Sequence, residues 1–99
     1  MSCEGGLPAL TEAEAKAMLP QIPGWQVTDG GAWLKRSYTF KNWKQSFEFV
    51  GKLSVLAESE KHHPDVEFGW GYCRISLQTH AIGGLHENDF IMAAKINAL

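Results

Sequence analysis

The chain lacks most of what would mark a membrane, secreted or nucleic-acid-binding protein. No apolar run approaches the ~20 residues of a membrane span. The opening MSCEGGLPAL has no basic segment followed by a long apolar one, so no signal peptide is expected and the cytoplasm is the expected location. Its 2 cysteines, Cys3 and Cys73, lie far apart in unlike contexts and read as reduced thiols. With 9 Lys and Arg against 11 Asp and Glu, and only Lys35-Arg36 adjacent, the net charge is −2. That excludes the clustered basic footprint that nucleic acid or an anionic bilayer requires. Beyond a ββα echo there are no internal repeats, and low-complexity segments are absent. Histidine is missing everywhere except at positions 62, 63, 80 and 86.

What is present suits one small globular domain. The 99 residues, 44% apolar and 20% charged, are enough for a single modest core. Residues 1–9 read as a flexible N-terminus and 10–99 as the domain. Thr11 with Glu14 forms a capping-box pattern ahead of EAEAKAML, and Pro20 with Pro23-Gly24 stops that helix. Trp25-Gln26-Val27, a turn at Thr28-Asp29-Gly30-Gly31 and the alternating Ala32–Phe40 segment predict a hairpin. Arg36 shares the face of Leu34, Tyr38 and Phe40, where it must snorkel or lie at an edge.

Asn42, with Gln45 three residues on, caps a helix of about five turns. Its apolar stripe reads as Phe47, Val50, Leu53, Ser54 and Ala57, widened by Phe49 and Leu56. Gly51 inside it implies close packing, and Pro64 is expected to end the helix at His62-His63. Two strands follow around Gly69-Trp70-Gly71. In the second, Cys73, Ile75, Leu77 and Thr79 share one face, and Tyr72, Arg74, Ser76, Gln78 and His80 the other. A last helix starts near His86, with Leu85 and Phe90 as a staple and Asp89 at N3. Phe90, Ala93, Ala94 and Asn97 run down one side of it. The order α-β-β-α-β-β-α predicts an α+β domain, a four-stranded antiparallel sheet with three helices on one face.

The 4 histidines therefore occupy one 25-residue window, 62–86. One histidine at a helix C-terminus is explained by the helix dipole, which favours a cation there. Two before a proline, joined by a third at a strand end, ask for more. The hairpin between Pro64 and His80 returns its far end to its near end, so His80 should come back beside His62 and His63. Adjacent histidines are poor co-ligands of one ion, and no HxH, HxxxH or CxxC spacing exists, so neither metal nor cofactor is expected. Cys73 points to the core by parity and is a poor nucleophile. General acid–base chemistry fits the cluster best. His86 reads as a helix cap outside the working set.

Glu58, His62-His63-Pro64, Thr79-His80, Gly84-Leu85 and Asp89 together resemble the pattern of the pterin-4a-carbinolamine dehydratases. The Leu19–Trp25 stretch ending in Gly24-Trp25 and the spacing of the middle helix resemble that family too. The resemblance covers the chain from about residue 10. It implies dehydration of 4a-hydroxytetrahydrobiopterin to quinonoid dihydropterin, in recycling the cofactor of aromatic amino-acid hydroxylases. It also implies catalytic roles for His62, His63 and His80, with Trp25, Glu58, Pro64, Thr79 and Asp89 binding the pterin. Assembly as a homodimer or homotetramer is implied as well. Two other roles stay open on the same resemblance: dimerisation cofactor of a transcription factor, or accessory protein of a molybdopterin pathway. Two positions depart from the pattern, His86 where Ser or Thr is usual and Ala81 where an acidic residue is common.

Overall fold

Local signals set the element boundaries. A computed structural model of the protein describes residues 8–99. Cys3 and the expected flexible segment 1–9, apart from Pro8 and Ala9, lie outside the described residues. The elements are α1 (Glu12–Met18), β1 (Gln26–Thr28), β2 (Trp33–Thr39), α2 (Trp43–Glu60), β3 (Asp65–Gly69), β4 (Tyr72–Leu77) and α3 (Glu87–Asn97), in the expected order. Single 3-10 turns at Leu19–Gln21, Asp29–Gly31 and His80–Ile82 join some of them. Among the described residues no helix is long and apolar enough to cross a membrane.

The capping box of α1 forms in both directions. Thr11 Oγ1 accepts from the Glu14 N–H at 3.1 Å, and Glu14 Oε1 accepts from the Thr11 N–H at 2.8 Å. Asn42 caps α2 by accepting from the Gln45 N–H at 2.9 Å, but Gln45 reaches one residue further back, to the Lys41 N–H at 3.0 Å. The bonds from Glu14 and Gln45 satisfy first-turn N–H groups that have no partner within their own helices, and those from Thr11 and Lys41 tie down the chain entering each helix.

The strands form one antiparallel sheet in the order β1-β2-β4-β3. Leu34 pairs with Leu77, Arg36 with Ile75 and Tyr38 with Cys73 across the central pair, while Asp65 pairs with Ser76 and Gly69 with Tyr72 in the second hairpin. Alternation puts Leu34, Cys73, Ile75 and Leu77, all 0% exposed, on one face. The helices cover that face with Ala15, Leu53, Ala57, Phe90, Met92, Ala93 and Ile96. Burial pushes the Cys73 thiol pKa up, as expected of an inert core thiol. Arg36 on this face is satisfied at the sheet's end. Its guanidinium lies 4.2 Å over the Tyr38 ring, donates to the Pro23 carbonyl at 3.0 Å and also bonds Asn97.

Four helix expectations need correction. First, α2 stops at Glu60, before either histidine, because Lys61 takes the left-handed conformation (φ 52). The His62 N–H then bonds the Ala57 carbonyl at 3.1 Å and the Lys61 N–H bonds Glu58, a Schellman stop that needs no proline. Second, the buried face of α2 runs through Ser46, Leu53 and Ala57, while Phe47 is 58% exposed and Ser54 faces water. Third, a Cβ added to Gly51 would meet nothing within 4 Å, so no close packing explains that glycine. Fourth, in α3 the inward stripe is Asp89, Met92, Ala93 and Ile96 with Phe90, and Ala94 faces out.

Candidate active site

The turn that stops α2 and the turn that follows β4 lie at one end of the second hairpin. Between them is a cavity of about 360 Å³ lined by Lys61, His62, His63, Pro64, Asp65, Gln78, Thr79, His80 and Ala81. It lies within the range of small-molecule sites. The structure thus brings His62, His63 and His80 to one wall, as the hairpin argument expected.

The histidines are held differently. Asp89, at N3 of α3 and 0% exposed, places its carboxylate directly behind His62. His62 Nε2 lies 2.7 Å from Asp89 Oδ1, Thr79 Oγ1 donates to Oδ2 at 2.7 Å, and the His86 N–H donates to Oδ2 at 3.0 Å. A carboxylate only accepts, so the imidazole presents Nε2–H to it. The first turn of α3 also favours the negative charge through its dipole. His63 Nε2 contacts Glu58 Oε2, one turn back on α2, with both side chains in water. His80 opens a 3-10 turn whose backbone is fixed at both ends. The Thr79 N–H bonds the Gly84 carbonyl at 2.9 Å, and the Gly83 N–H bonds the His80 carbonyl at 3.2 Å. Gly84 also allows Ala9 to pack on it, since a Cβ there would sit 2.7 Å from that of Ala9.

Of the other expected site residues, Pro64 and Thr79 line the cavity, and Glu58 stands behind His63. Asp89 is fully buried, engaged with three donors and set behind the residues that line the cavity. Trp25 is not among the residues that line the cavity. Its ring is 5% exposed in the core and its indole N–H donates to Asn97 Oδ1 at 2.8 Å, away from the cavity lining. The indole that packs on a cavity histidine is that of Trp33, edge-on to His80 with centroids 6.1 Å apart and planes at 76°. Lys61, Asp65 and Gln78 were also missed as cavity residues, although Gln78 shares the polar face of His80 and so carried a usable signal. Among the described residues no three His, Cys, Asp or Glu side chains are placed to hold a metal ion.

The cavity wall thus carries three imidazoles, two of them against carboxylates and the third edge-on to an indole. A family model described as pterin 4 alpha carbinolamine dehydratase matches residues 8–99. A Methylococcus capsulatus protein provisionally named pterin-4-alpha-carbinolamine dehydratase is 50% identical over 97 residues, spanning 98% of this chain and 85% of its own length. One from Aromatoleum aromaticum with the same provisional name is 53% identical, spanning 98% of this chain and 87% of its own. A crystal structure described as a transcriptional coactivator/pterin dehydratase from Brucella melitensis superposes with a TM-score of 0.83 at 36% identity, covering 91% of this chain and 96% of that one. A pterin dehydratase-like protein described as a RuBisCO assembly factor in the alpha-carboxysome superposes with a TM-score of 0.67 at 25% identity, covering 79% of this chain and 90% of that one.

Proposed function

The chain belongs to the pterin 4 alpha carbinolamine dehydratase family, and we propose that it is a hydro-lyase that removes water from a pterin 4a-carbinolamine by histidine acid–base catalysis. The observation that carries this reading is the cavity wall of His62, His63 and His80, with Asp89 buried behind the first.

The reaction needs a proton delivered to the C4a hydroxyl, so that it leaves as water. A ring nitrogen's lone pair closes the new C=N bond, and a base removes one proton from the ring, leaving the quinonoid dihydropterin. Proton count balances with one acid and one base, each contributing about 10²–10⁴-fold. In this reading His62 and His80 share those two roles, and His63, exposed and paired with Glu58, binds and orients the pterin. Pro64 and Thr79 shape the wall. The activity would serve recycling of a tetrahydropterin in the cytoplasm, in step with an aromatic amino-acid hydroxylase. The test is to generate the 4a-carbinolamine in situ and follow its loss. The protein should accelerate that loss over buffer, and a rate equal to buffer defeats the reading.

A second reading, a protein-binding role that includes self-association as a homodimer or homotetramer, is favoured by one observation. Trp43 and Phe47 on α2, 47% and 58% exposed, lean on Phe68 of the edge strand β3 with ring centroids 5.3 and 6.4 Å apart. Large exposed aromatics beside an open strand edge are a usual mark of an interface. Sedimentation velocity of the wild type and Phe47→Glu tests it: a wild-type oligomer that Phe47→Glu dissociates supports the role, and a wild-type monomer contradicts it.

A further inference from the structure

We propose that Trp33 is a positioning residue for His80, holding its imidazole at the angle from which it exchanges a proton with substrate; the proposal rests on the dehydratase reading above. The other two cavity imidazoles each contact a carboxylate. His80 contacts none: the partner its ring meets among the described residues is the indole of Trp33, at 6.1 Å and 76°. That edge-to-face arrangement is a favoured geometry for two aromatic rings.

The backbone of His80 is fixed by its turn, so the freedom left is rotation of the side chain. The outer torsion of a histidine is broad and roughly two-fold, and a ring without a hydrogen bond depends on packing to choose one orientation. Trp33 is suited to impose it. It opens β2 beside the fully buried Leu34, and the carbonyl before it, of Ala32, accepts from Gln78 Nε2 at 3.2 Å. Gln78 lines the same cavity. Continuing the β2–β4 register one step past Leu34 and Leu77 sets Trp33 across from Gln78. An indole wall also orients the ring without occupying either nitrogen, which a carboxylate would do. His80 therefore keeps both nitrogens for substrate, as a group that trades protons requires.

The experiment combines turnover of the 4a-carbinolamine by Trp33→Ala and Trp33→Phe with a pH titration of indole emission in wild type, Trp33→Phe and His80→Gln. Trp33→Ala should lose roughly ten-fold in kcat with KM within about two-fold, because misorientation penalises the chemical step. Trp33→Phe, which keeps an aromatic partner, should recover most of that loss. Wild-type emission should change as His80 gains a proton, and both Trp33→Phe and His80→Gln should remove that component. Should Trp33→Ala fail to fold, Trp33→Phe and the emission titration still decide. If wild type gives no turnover but its emission follows His80, the dehydratase reading fails while the contact stands. Wild-type kcat in Trp33→Ala, an equal kcat loss in Trp33→Phe, or emission indifferent to His80→Gln overturns the positioning role.

Discussion

His62–Asp89 and His63–Glu58 join the same two functional groups at neighbouring positions, in different surroundings. The first pair has side chains 11% and 0% exposed, the second 61% and 74%. In water an ion pair of this kind contributes about 0–1 kcal/mol, because solvent already satisfies both groups and salt screens them. Behind the cavity wall water is excluded, so Asp89 must be satisfied by the protein, and it is: His62, Thr79 and the His86 N–H all point at it. A buried carboxylate with every donor provided fixes the ring in front of it. An exposed one leaves its ring able to move with a ligand. One architecture thus yields a fixed imidazole and an adjustable one on the same wall.

The sharpest way to break that contrast is at Asp89. Asp89→Asn keeps the shape but offers an NH₂ where donors converge, which should upset the tautomer of His62 and lower kcat by roughly 10²–10⁴-fold, as wrong-tautomer substitutions do in acid–base sites. Asp89→Ala, leaving buried donors unpaired, should cost about 3–5 kcal/mol in denaturant unfolding. Thr79→Val comes next: it removes one donor and leaves the carboxylate partly unsatisfied, for a loss of about 1–3 kcal/mol and a smaller fall in kcat. Glu58→Gln should change stability by less than about 1 kcal/mol, and its effect on KM should shrink as salt rises. A drop in kcat as large as that of Asp89→Asn would erase the distinction between the pairs.

The smallest expected effect tests the turn that presents both histidines. Lys61→Gly relieves a left-handed lysine that costs about 1–2 kcal/mol, offset by glycine's greater unfolded-state entropy of about 0.5–1 kcal/mol. A net gain of roughly 1 kcal/mol or less should appear as a slightly raised Tm. A fall in Tm would mean that the lysine side chain itself supports the turn.

Features set by residues three or four apart were legible in the chain. The Thr11–Glu14 box, the Asn42 cap and a tight turn around Gly69-Trp70-Gly71 are of this kind, as is the parity that buries Cys73, Ile75 and Leu77. The grouping of His62, His63 and His80 was legible because a hairpin has only one way to return. Features that depend on how elements meet were not. Trp25 and Trp33 are both aromatic residues of the first hairpin. The β2–β4 register, joining residues some forty positions apart, carries Trp33 to the side of His80, whereas Trp25 bonds Asn97 at the end of α3. The end of α2 was misplaced because a lysine stands in a left-handed position that glycine usually fills. Its buried face was misjudged because Phe47 packs on the edge-strand residue Phe68 while remaining exposed.

The central claim is that His62 and His80 together carry the proton transfers of a carbinolamine dehydration. It is tested most directly by the rate of 4a-carbinolamine loss with wild type and with His62→Gln/His80→Gln. Wild type should accelerate that loss well above buffer and the double variant, folded by circular dichroism, should fall to within a few-fold of it. A double variant that retains the wild-type rate would contradict the account.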